Sequence, residues 1–133
     1  MSTTSRIDLL LSAARARLDR LSPEDAAAEV AQGAVLVDIR PAAQRAEHGE
    51  VPVALLVERN VLEWRFDATN DAALPIADDD LRVIVLCQEG YTSSLAAAAL
   101  RDVGVHRATD VVGGFAAWGA AGLATRSVGE RAA

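Results

Sequence analysis

Lysine is absent from this chain of 133 residues, and all 13 of its basic residues are arginine. The 19 acidic residues outnumber them, which gives a formal net charge of −6 at pH 7. A protein with an acidic balance gains little long-range attraction to phosphate backbones or to anionic lipid. The composition therefore predicts that neither nucleic acid nor a membrane is a partner.

Cysteine and histidine are also scarce: Cys87 is the only cysteine, and there are two histidines. A single cysteine excludes a disulfide within the chain. Structural zinc sites are built from several Cys and His ligands, which this chain can hardly supply. We therefore expect neither a disulfide framework nor a structural metal site.

Long hydrophobic runs are missing too. The apolar segment at 7–11 is short, is interrupted by Asp8 and is followed by Arg15, Arg17 and Arg20, which is unlike a secretory signal. No stretch has the length that spans a bilayer. The chain length and the 51% share of apolar residues fit one globular domain. We expect a single-domain protein of the cytoplasm.

Apolar residues recur at helical spacing in some segments and form short continuous runs in others. The helical segments are 5–18, 22–33, 40–49, 59–66, 93–104 and 113–122, and the runs typical of buried strands are 34–39, 54–57, 81–87 and 109–112. This alternation predicts an α/β fold whose parallel sheet has helices on both faces. Ligands of such sheets bind beyond the carboxyl ends of the strands.

Cys87 lies where the clearest strand ends, and the loop "QEGYT" separates it from the next helix. Gly90 allows the positive φ of a sharp turn whose backbone N–H groups point inward at an anion. The N-terminus of the helix adds unpaired N–H groups and the positive end of its dipole. Both favour a thiolate, and the hydroxyls of Thr92 and Ser93 are candidate donors to the same anion.

A lone cysteine after a buried strand is, by position alone, more often an inert core residue than a reactive one. Two features favour a reactive thiol, namely the polar loop with its glycine and the position at the open edge of the sheet. These residues alone leave a core residue, a metal ligand, a redox thiol and a nucleophile as alternatives for Cys87.

Four motifs in order resemble those of the rhodanese domain, a family of sulfurtransferases. They are "LVDIR" at 36–40, "GEVPVA" at 49–54, the loop that begins at Cys87, and "VVGGFAAW" at 111–118. Each motif alone is a weak signal, whereas all of them in the same order form a strong one. The resemblance covers roughly residues 20–122, most of the chain.

The resemblance implies a rhodanese-like three-layer sandwich at 21–123. The residues outside it predict an N-terminal amphipathic helix at 1–20 and a flexible C-terminal tail at 124–133. It implies that Cys87 takes a sulfane sulfur from a small-molecule donor, holds it as a persulfide and passes it to cyanide, a thiol or a thiol acceptor protein. Such chemistry needs neither a metal nor an organic cofactor. The implied persulfide-binding loop comprises Gln88, Glu89, Gly90, Tyr91, Thr92 and Ser93.

Departures from the family pattern refine these expectations. Glu50 stands where the family usually has His and is expected to alter only local hydrogen bonding, and Val53 in place of Gly implies a turn without a positive φ. Glu89 places a carboxylate where thiosulfate-using members tend to have a basic residue, which predicts repulsion of thiosulfate and a persulfide or thiol compound as the donor. Ser93 occupies the position at which a tyrosine-phosphatase loop needs an arginine to bind phosphate.

Four charged residues are candidates for supporting roles. Asp38 and Arg40 could orient the cysteine loop or could form a structural ion pair at the sheet edge. Arg59 and Arg65 could face Cys87 and bind an anionic substrate, or could belong to a solvated helix face whose apolar side packs inward. That apolar side comprises Val61, Leu62 and Trp64.

The leading interpretation is an enzyme, a single-domain sulfurtransferase that works through a persulfide on Cys87. A rhodanese-like binding or sulfur-carrier module with little turnover is the second, and a thiol redox sensor is the third. The intact cysteine favours the enzyme. The sequence leaves open whether the N-terminal helix packs on its own domain or on a second subunit.

Overall fold

The structure, a computed structural model, describes residues 4–131. Residues 1–3 and 132–133, which belong to the predicted N-terminal helix segment and C-terminal tail, lie outside the described residues. Each helix and strand predicted from periodicity is present, with differences of a few residues at its ends. The helices are α1 (Arg6–Arg15), α2 (Pro23–Ala31), α3 (Ala42–His48), α4 (Leu62–Phe66), α5 (Thr92–Asp102) and α6 (Gly114–Ala120), with 3-10 helices at Arg59–Val61 and Val128–Glu130. The strands are β1 (Val35–Asp38), β2 (Leu55–Leu56), β3 (Val83–Leu86) and β4 (Thr109–Asp110).

Within residues 4–131 the strands form one four-stranded sheet in the order β2-β1-β3-β4, and every pairing is parallel. Asp38 at the end of β1 lies opposite Leu86 at the end of β3, and Val85 lies opposite Asp110 at the end of β4. The carboxyl ends of these strands therefore meet at one edge, and the predicted α/β fold with a central parallel sheet is confirmed.

Helices bury the sheet on both faces, which explains why the strands are apolar throughout rather than alternating. Val83 and Val85 pack in one core with α4 and α5, whereas Ile84 and Leu86 pack in the other with α2 and α6. Each fully buried Val or Leu contributes about 1.5–3 kcal/mol to folding. Among the helices of residues 4–131, none is both long and apolar enough to cross a membrane.

The N-terminal helix α1 packs on α5 of the same chain. The Ser5 hydroxyl caps it by accepting a hydrogen bond from the Asp8 amide at 3.1 Å. Leu11 and Ala14 are buried, and Arg17, just beyond the helix, pairs with Asp102 at the C-terminal end of α5 at 2.6 Å. This packing places the last turn of α1 beside the N-terminal half of α5, close to the cysteine loop.

Glu50 joins the C-terminal segment to the body of the domain. Its backbone pairs antiparallel with Arg126, and its buried carboxylate accepts a hydrogen bond from Arg131 Nε. The expectation that Glu50 alters only local hydrogen bonding is therefore wrong, because its partners are far away in the sequence. Residues 124–131 run along the domain in this structure, and the flexibility predicted for the tail stays a prediction.

Candidate active site

The sulfur of Cys87 lies directly beyond β3, and two backbone N–H groups of the following loop point at it. Gly90 N lies 3.2 Å from Sγ, and Ser93 N, in the first turn of α5, lies 3.3 Å from it. Cys87 is 4% exposed, so these donors act where little water competes. The arrangement is a pocket of backbone dipoles that favours negative charge on sulfur.

The turn of this loop depends on glycine at two places. Gly90 has a φ of +86°, and a Cβ there would lie 2.7 Å from Gly113 N. Gly114, at the start of α6, has a φ of +61°, and a Cβ there would also lie 2.7 Å from Gly90 N. Because neither glycine has a side chain, the start of α6 can lie against the cysteine loop. There Phe115 N donates a hydrogen bond to the Cys87 carbonyl at 2.8 Å.

Arg40 and Asp38 form a fully buried, two-pronged ion pair in which Arg40 Nη2 lies 2.8 Å from Asp38 Oδ2. Arg40 also donates to Gln88 Oε1 at 2.8 Å and to the Gly49 carbonyl at 2.9 Å, and it lies 4.2 Å from the ring centroid of Phe115. The two residues thus form a buried ion pair, and Arg40 also contacts Gln88, the residue that follows Cys87. A role of the pair in orienting the cysteine loop stays a prediction.

The Ser93 hydroxyl does not serve the sulfur, contrary to expectation. It donates instead to Asp110 Oδ2 at 2.7 Å, and the Ser94 hydroxyl donates to the same oxygen at 2.7 Å. Asp110 is completely buried and also pairs with Arg20 at 2.8 Å. The sequence interpretation missed Asp110, because the predicted strand ran to residue 112, whereas β4 ends at Asp110 and so places it at the ligand-binding edge of the sheet.

A cavity of about 290 Å³ opens beside Cys87. Arg59, Glu89 and Thr92 are in its lining, whereas Arg65 is not and donates instead to the Ala72 carbonyl. The lining residues are Ile39, Arg40, Pro41, Gln44, Arg59, Cys87, Gln88, Glu89, Tyr91 and Thr92. The structure thus brings the two predicted arginines to different places, and only Arg59 is near the sulfur.

The helix that carries these arginines is buried on a different side from the one predicted. Leu62 is fully buried as predicted, but Val61 is 41% exposed and Trp64 is 55% exposed. Phe66 fills the inward position instead and is 1% exposed. Arg59 pairs with Glu63 at 2.7 Å, one helical turn later, so its charge is partly neutralised before any ligand enters the cavity.

Within residues 4–131, no cluster of His, Cys, Asp and Glu side chains has the geometry to hold a metal ion. His48 and His106 lie at the surface, away from the residues that line the cavity. The chemistry that these residues can perform is nucleophilic attack by Cys87 inside a pocket of N–H donors.

A family model for the rhodanese-like domain matches residues 22–121. Thiosulfate sulfurtransferase GlpE of Pseudomonas savastanoi pv. phaseolicola is 34% identical over 99 residues, which cover 74% of this chain and 85% of that protein. Adenylyltransferase and sulfurtransferase MOCS3-2 of Zea mays is 32% identical over 85 residues, or 64% of this chain. That match spans only 17% of the maize protein.

Among solved structures, a protein of unknown function from Rhodopseudomonas palustris CGA009, described as a possible tyrosine phosphatase, superposes with a TM-score of 0.83. It is 30% identical, and the match covers 95% of this chain and 98% of that one. The similarity of fold therefore extends beyond the residues of the family model. With a family match across most of its length and sulfurtransferase relatives above 30% identity, the chain belongs to the rhodanese-like domain family.

Proposed function

We propose that this protein is a sulfurtransferase that moves a sulfane sulfur from a donor to a thiol or cyanide acceptor through a persulfide on Cys87. The observation that carries the proposal is the pair of backbone N–H groups, of Gly90 and Ser93, that point at Sγ next to an open cavity. The sulfurtransferase relatives support it.

The reaction has two displacements at sulfur. The Cys87 thiolate attacks the outer sulfur of the donor, and the sulfur–sulfur bond of the donor breaks. The donor leaves with the electron pair, as sulfite from thiosulfate or as a thiolate from a persulfide. The acceptor then attacks the outer sulfur of the Cys87 persulfide, and Sγ leaves as a thiolate. Cyanide becomes thiocyanate, and a thiol becomes a persulfide.

Negative charge stays on sulfur through both steps, first on the thiolate and then on the persulfide. The N–H donors of Gly90 and Ser93 are fixed by the loop before either anion forms, so little reorganisation is needed when the charge moves. Ser93 N also belongs to the first turn of α5, where the helix dipole favours an anion.

Glu89 supports a persulfide rather than thiosulfate as the donor; a simple thiol is left out because it has no sulfur–sulfur bond for Cys87 to break. Its carboxylate lines the cavity beside Cys87 and repels a dianion more strongly than a singly charged or neutral donor. Arg59 lines the same cavity, but Glu63 already neutralises part of its charge. The balance of charge at the entrance is therefore less favourable to thiosulfate than a basic loop would be.

The alternatives differ from this proposal in chemistry. A sulfur-carrier module would accept a sulfur at Cys87 but release it slowly, and a redox sensor would react with peroxide faster than with any sulfur donor. A phosphatase would need a guanidinium six residues after Cys87, where this chain has Ser93.

The proposal is tested by the intact mass of the reduced protein after separate exposure to thiosulfate and to a low-molecular-weight persulfide, with Cys87→Ser as control. We expect one added sulfur atom that the control lacks and that cyanide removes as thiocyanate. Loading followed by turnover no faster than spontaneous release would leave only a carrier. No loading from either donor would overturn the proposal, and hydrolysis of a phenyl phosphate dependent on Cys87 would replace it with a phosphatase.

A further inference from the structure

The carbonyl oxygen of Gly90 accepts hydrogen bonds from two guanidinium groups. Arg15 Nη2 lies 2.8 Å from it, and Arg20 Nη2 lies 3.0 Å from it. Gly90 is the residue whose amide points at the sulfur of Cys87. Both arginines precede residues 22–121, which the family model covers, so the donors of this contact lie outside the matched residues although Gly90 lies within them.

Arg15 is held against the loop by further contacts. It occupies the last turn of α1, its Nε donates to the Ser94 hydroxyl at 3.1 Å, and its guanidinium lies 5.7 Å from the ring centroid of Tyr91. Gly90, Tyr91 and Ser94 all belong to the cysteine loop or to the first turn of α5. A single side chain of α1 thus contacts this segment at three points.

Arg20 reaches the same carbonyl by a different route. Leu21 adds a short parallel bridge to Val111 at the edge of the sheet, and its amide donates to the Asp110 carbonyl at 3.0 Å. This pairing sets Arg20 beside Asp110, with which it forms two hydrogen bonds of 2.8 and 3.1 Å. Nη2, which makes the longer of these two bonds, also donates to the Gly90 carbonyl.

We propose that Arg15 and Arg20 are positioning residues that hold the Gly90 turn in the conformation that directs its amide at Cys87 Sγ. Glycine at a positive φ has wide conformational freedom, so a turn of this kind stays in one conformation only if its peptide groups are bonded. Two charged donors on one carbonyl supply that constraint, and charge-assisted hydrogen bonds are about twice as strong as neutral ones.

The same contact orients the whole peptide group that joins Gly90 to Tyr91. In a trans peptide the N–H points away from the C=O. Because the Gly90 carbonyl is bonded towards α1, the Tyr91 N–H points to the opposite side of the loop. The segment at 6–20 is therefore part of the support of the reactive loop. Its consequence for sulfur transfer rests on the proposed function, whereas its consequence for the reactivity of the thiol does not.

The test is the rate at which iodoacetamide alkylates Cys87 between about pH 5 and pH 10, which follows the thiolate without any sulfur donor. Arg15→Gln is the test variant. Arg20 is left unchanged because it also pairs with the buried Asp110, and a variant without Arg20 would lose folding stability. Arg15→Lys is the conservative variant. Arg17→Gln is the matched control, since Arg17 binds α5 through Asp102 at the end far from the loop.

We expect Arg15→Gln to lower the alkylation rate near neutral pH by about three- to tenfold and to move the midpoint of the pH–rate curve upward. Arg15→Lys should recover part of the rate, and Arg17→Gln should follow the wild type. Urea titrations identify variants that are only less stable, because global destabilisation lowers the midpoint of unfolding without moving the alkylation midpoint upward.

Coincident pH–rate curves for Arg15→Gln, Arg17→Gln and the wild type would overturn the positioning role. So would an equal shift in Arg15→Gln and Arg17→Gln. If the curves separate as expected while the wild type takes no sulfur from any donor, the positioning role stands and the proposed sulfurtransferase function fails. The two inferences are thereby tested separately.

Discussion

Asp110 Oδ2 accepts a 2.7 Å hydrogen bond from the hydroxyl of Ser93. The backbone amide of the same serine lies 3.3 Å from Cys87 Sγ. Ser93 thus contacts both a buried carboxylate and the sulfur: its hydroxyl donates to the carboxylate, and its backbone N–H points at the sulfur. The group of Ser93 that stabilises a buried charge is therefore different from the group that contacts Cys87 Sγ.

Ser93→Ala should therefore weaken folding more than sulfur loading. The variant keeps the amide but deprives Asp110 of one donor, which costs about 1–2 kcal/mol of unfolding free energy. Urea denaturation measures the stability, and intact mass after exposure to a persulfide measures the loading. Unchanged stability together with a large loss of loading would mean that the hydroxyl, rather than the amide, serves the sulfur.

Arg40→Leu should be strongly destabilising, because it leaves the fully buried carboxylate of Asp38 without a countercharge. Removal of one partner of a buried ion pair costs about 3–5 kcal/mol. The double variant Asp38→Leu/Arg40→Leu removes both charges and should recover much of that loss. A double-mutant cycle by urea denaturation measures the coupling, and losses that simply add would contradict it.

Glu89→Gln should improve the use of thiosulfate. Loss of one negative charge beside the entering dianion should raise kcat/KM for thiosulfate about five- to tenfold and leave a neutral donor nearly unaffected. The gain should shrink at high salt, since ions screen charges exposed to solvent. An equal gain with both donors would show that Glu89 acts through the shape of the loop rather than through its charge.

Stability should depend on pH through Asp19 at the other end of the sheet. Burial alone raises the pKa of Asp19, but the hydrogen bond and charge of Arg82, together with the charge of Arg101, outweigh it and lower that pKa below its ordinary value of 3.8. A carboxyl whose pKa is lower in the folded state adds stability above its unfolded pKa. That stability is lost as the pH falls through the folded value.

Asp19→Asn should accordingly lose up to about 1 kcal/mol at neutral pH, a small value because the pair is partly exposed. The difference from the wild type should begin to shrink as the pH falls below the ordinary pKa of 3.8 and should disappear below the lower pKa of the folded state. Urea denaturation of both proteins across this range is the measurement. A difference that persists undiminished in acid would assign the effect to packing instead of charge.

Glu50→Gln should loosen the C-terminal segment, because the buried carboxylate faces Arg131 and Arg126. Limited digestion with trypsin, which cuts after arginine, should then release the segment after Arg126 faster than in the wild type. Glu47→Gln, an exposed neighbour, is the control. Equal rates for the wild type and both variants would show that backbone pairing alone holds the segment.

Much of the fold was predictable from the chain, and the reasons are local. The continuous apolar run at 83–86 requires burial on both faces, and the alternation of such runs with helical segments leaves a parallel sheet as the simple solution. The start of α2 also follows local rules. Ser22 is its N-cap and Pro23 is its first residue, and the Ser22 hydroxyl accepts a hydrogen bond from the Asp25 amide at 3.1 Å.

The candidate site was predictable only in part. The position of Cys87 and the positive φ of Gly90 follow from strand, loop and helix in order. The sequence interpretation could not distinguish Arg59 from Arg65, because a short helix at the surface has no strong apolar pattern to set its rotation. It also assigned the Ser93 hydroxyl to the sulfur, since Asp110 becomes its neighbour only when β4 pairs with β3.

The amino-acid sequence by itself determined the order of strands and helices, the edge of the sheet at which Cys87 lies, and the loop that could surround a sulfur anion. These depend on propensity and burial, which act between near neighbours along the chain. The tertiary structure alone decided that Arg15 and Arg20 contact Gly90, that Arg40 contacts Gln88, and that Glu50 binds the C-terminal segment. Such pairs join residues far apart in sequence, and the packing of helices on the sheet is what brings their charges within hydrogen-bonding distance.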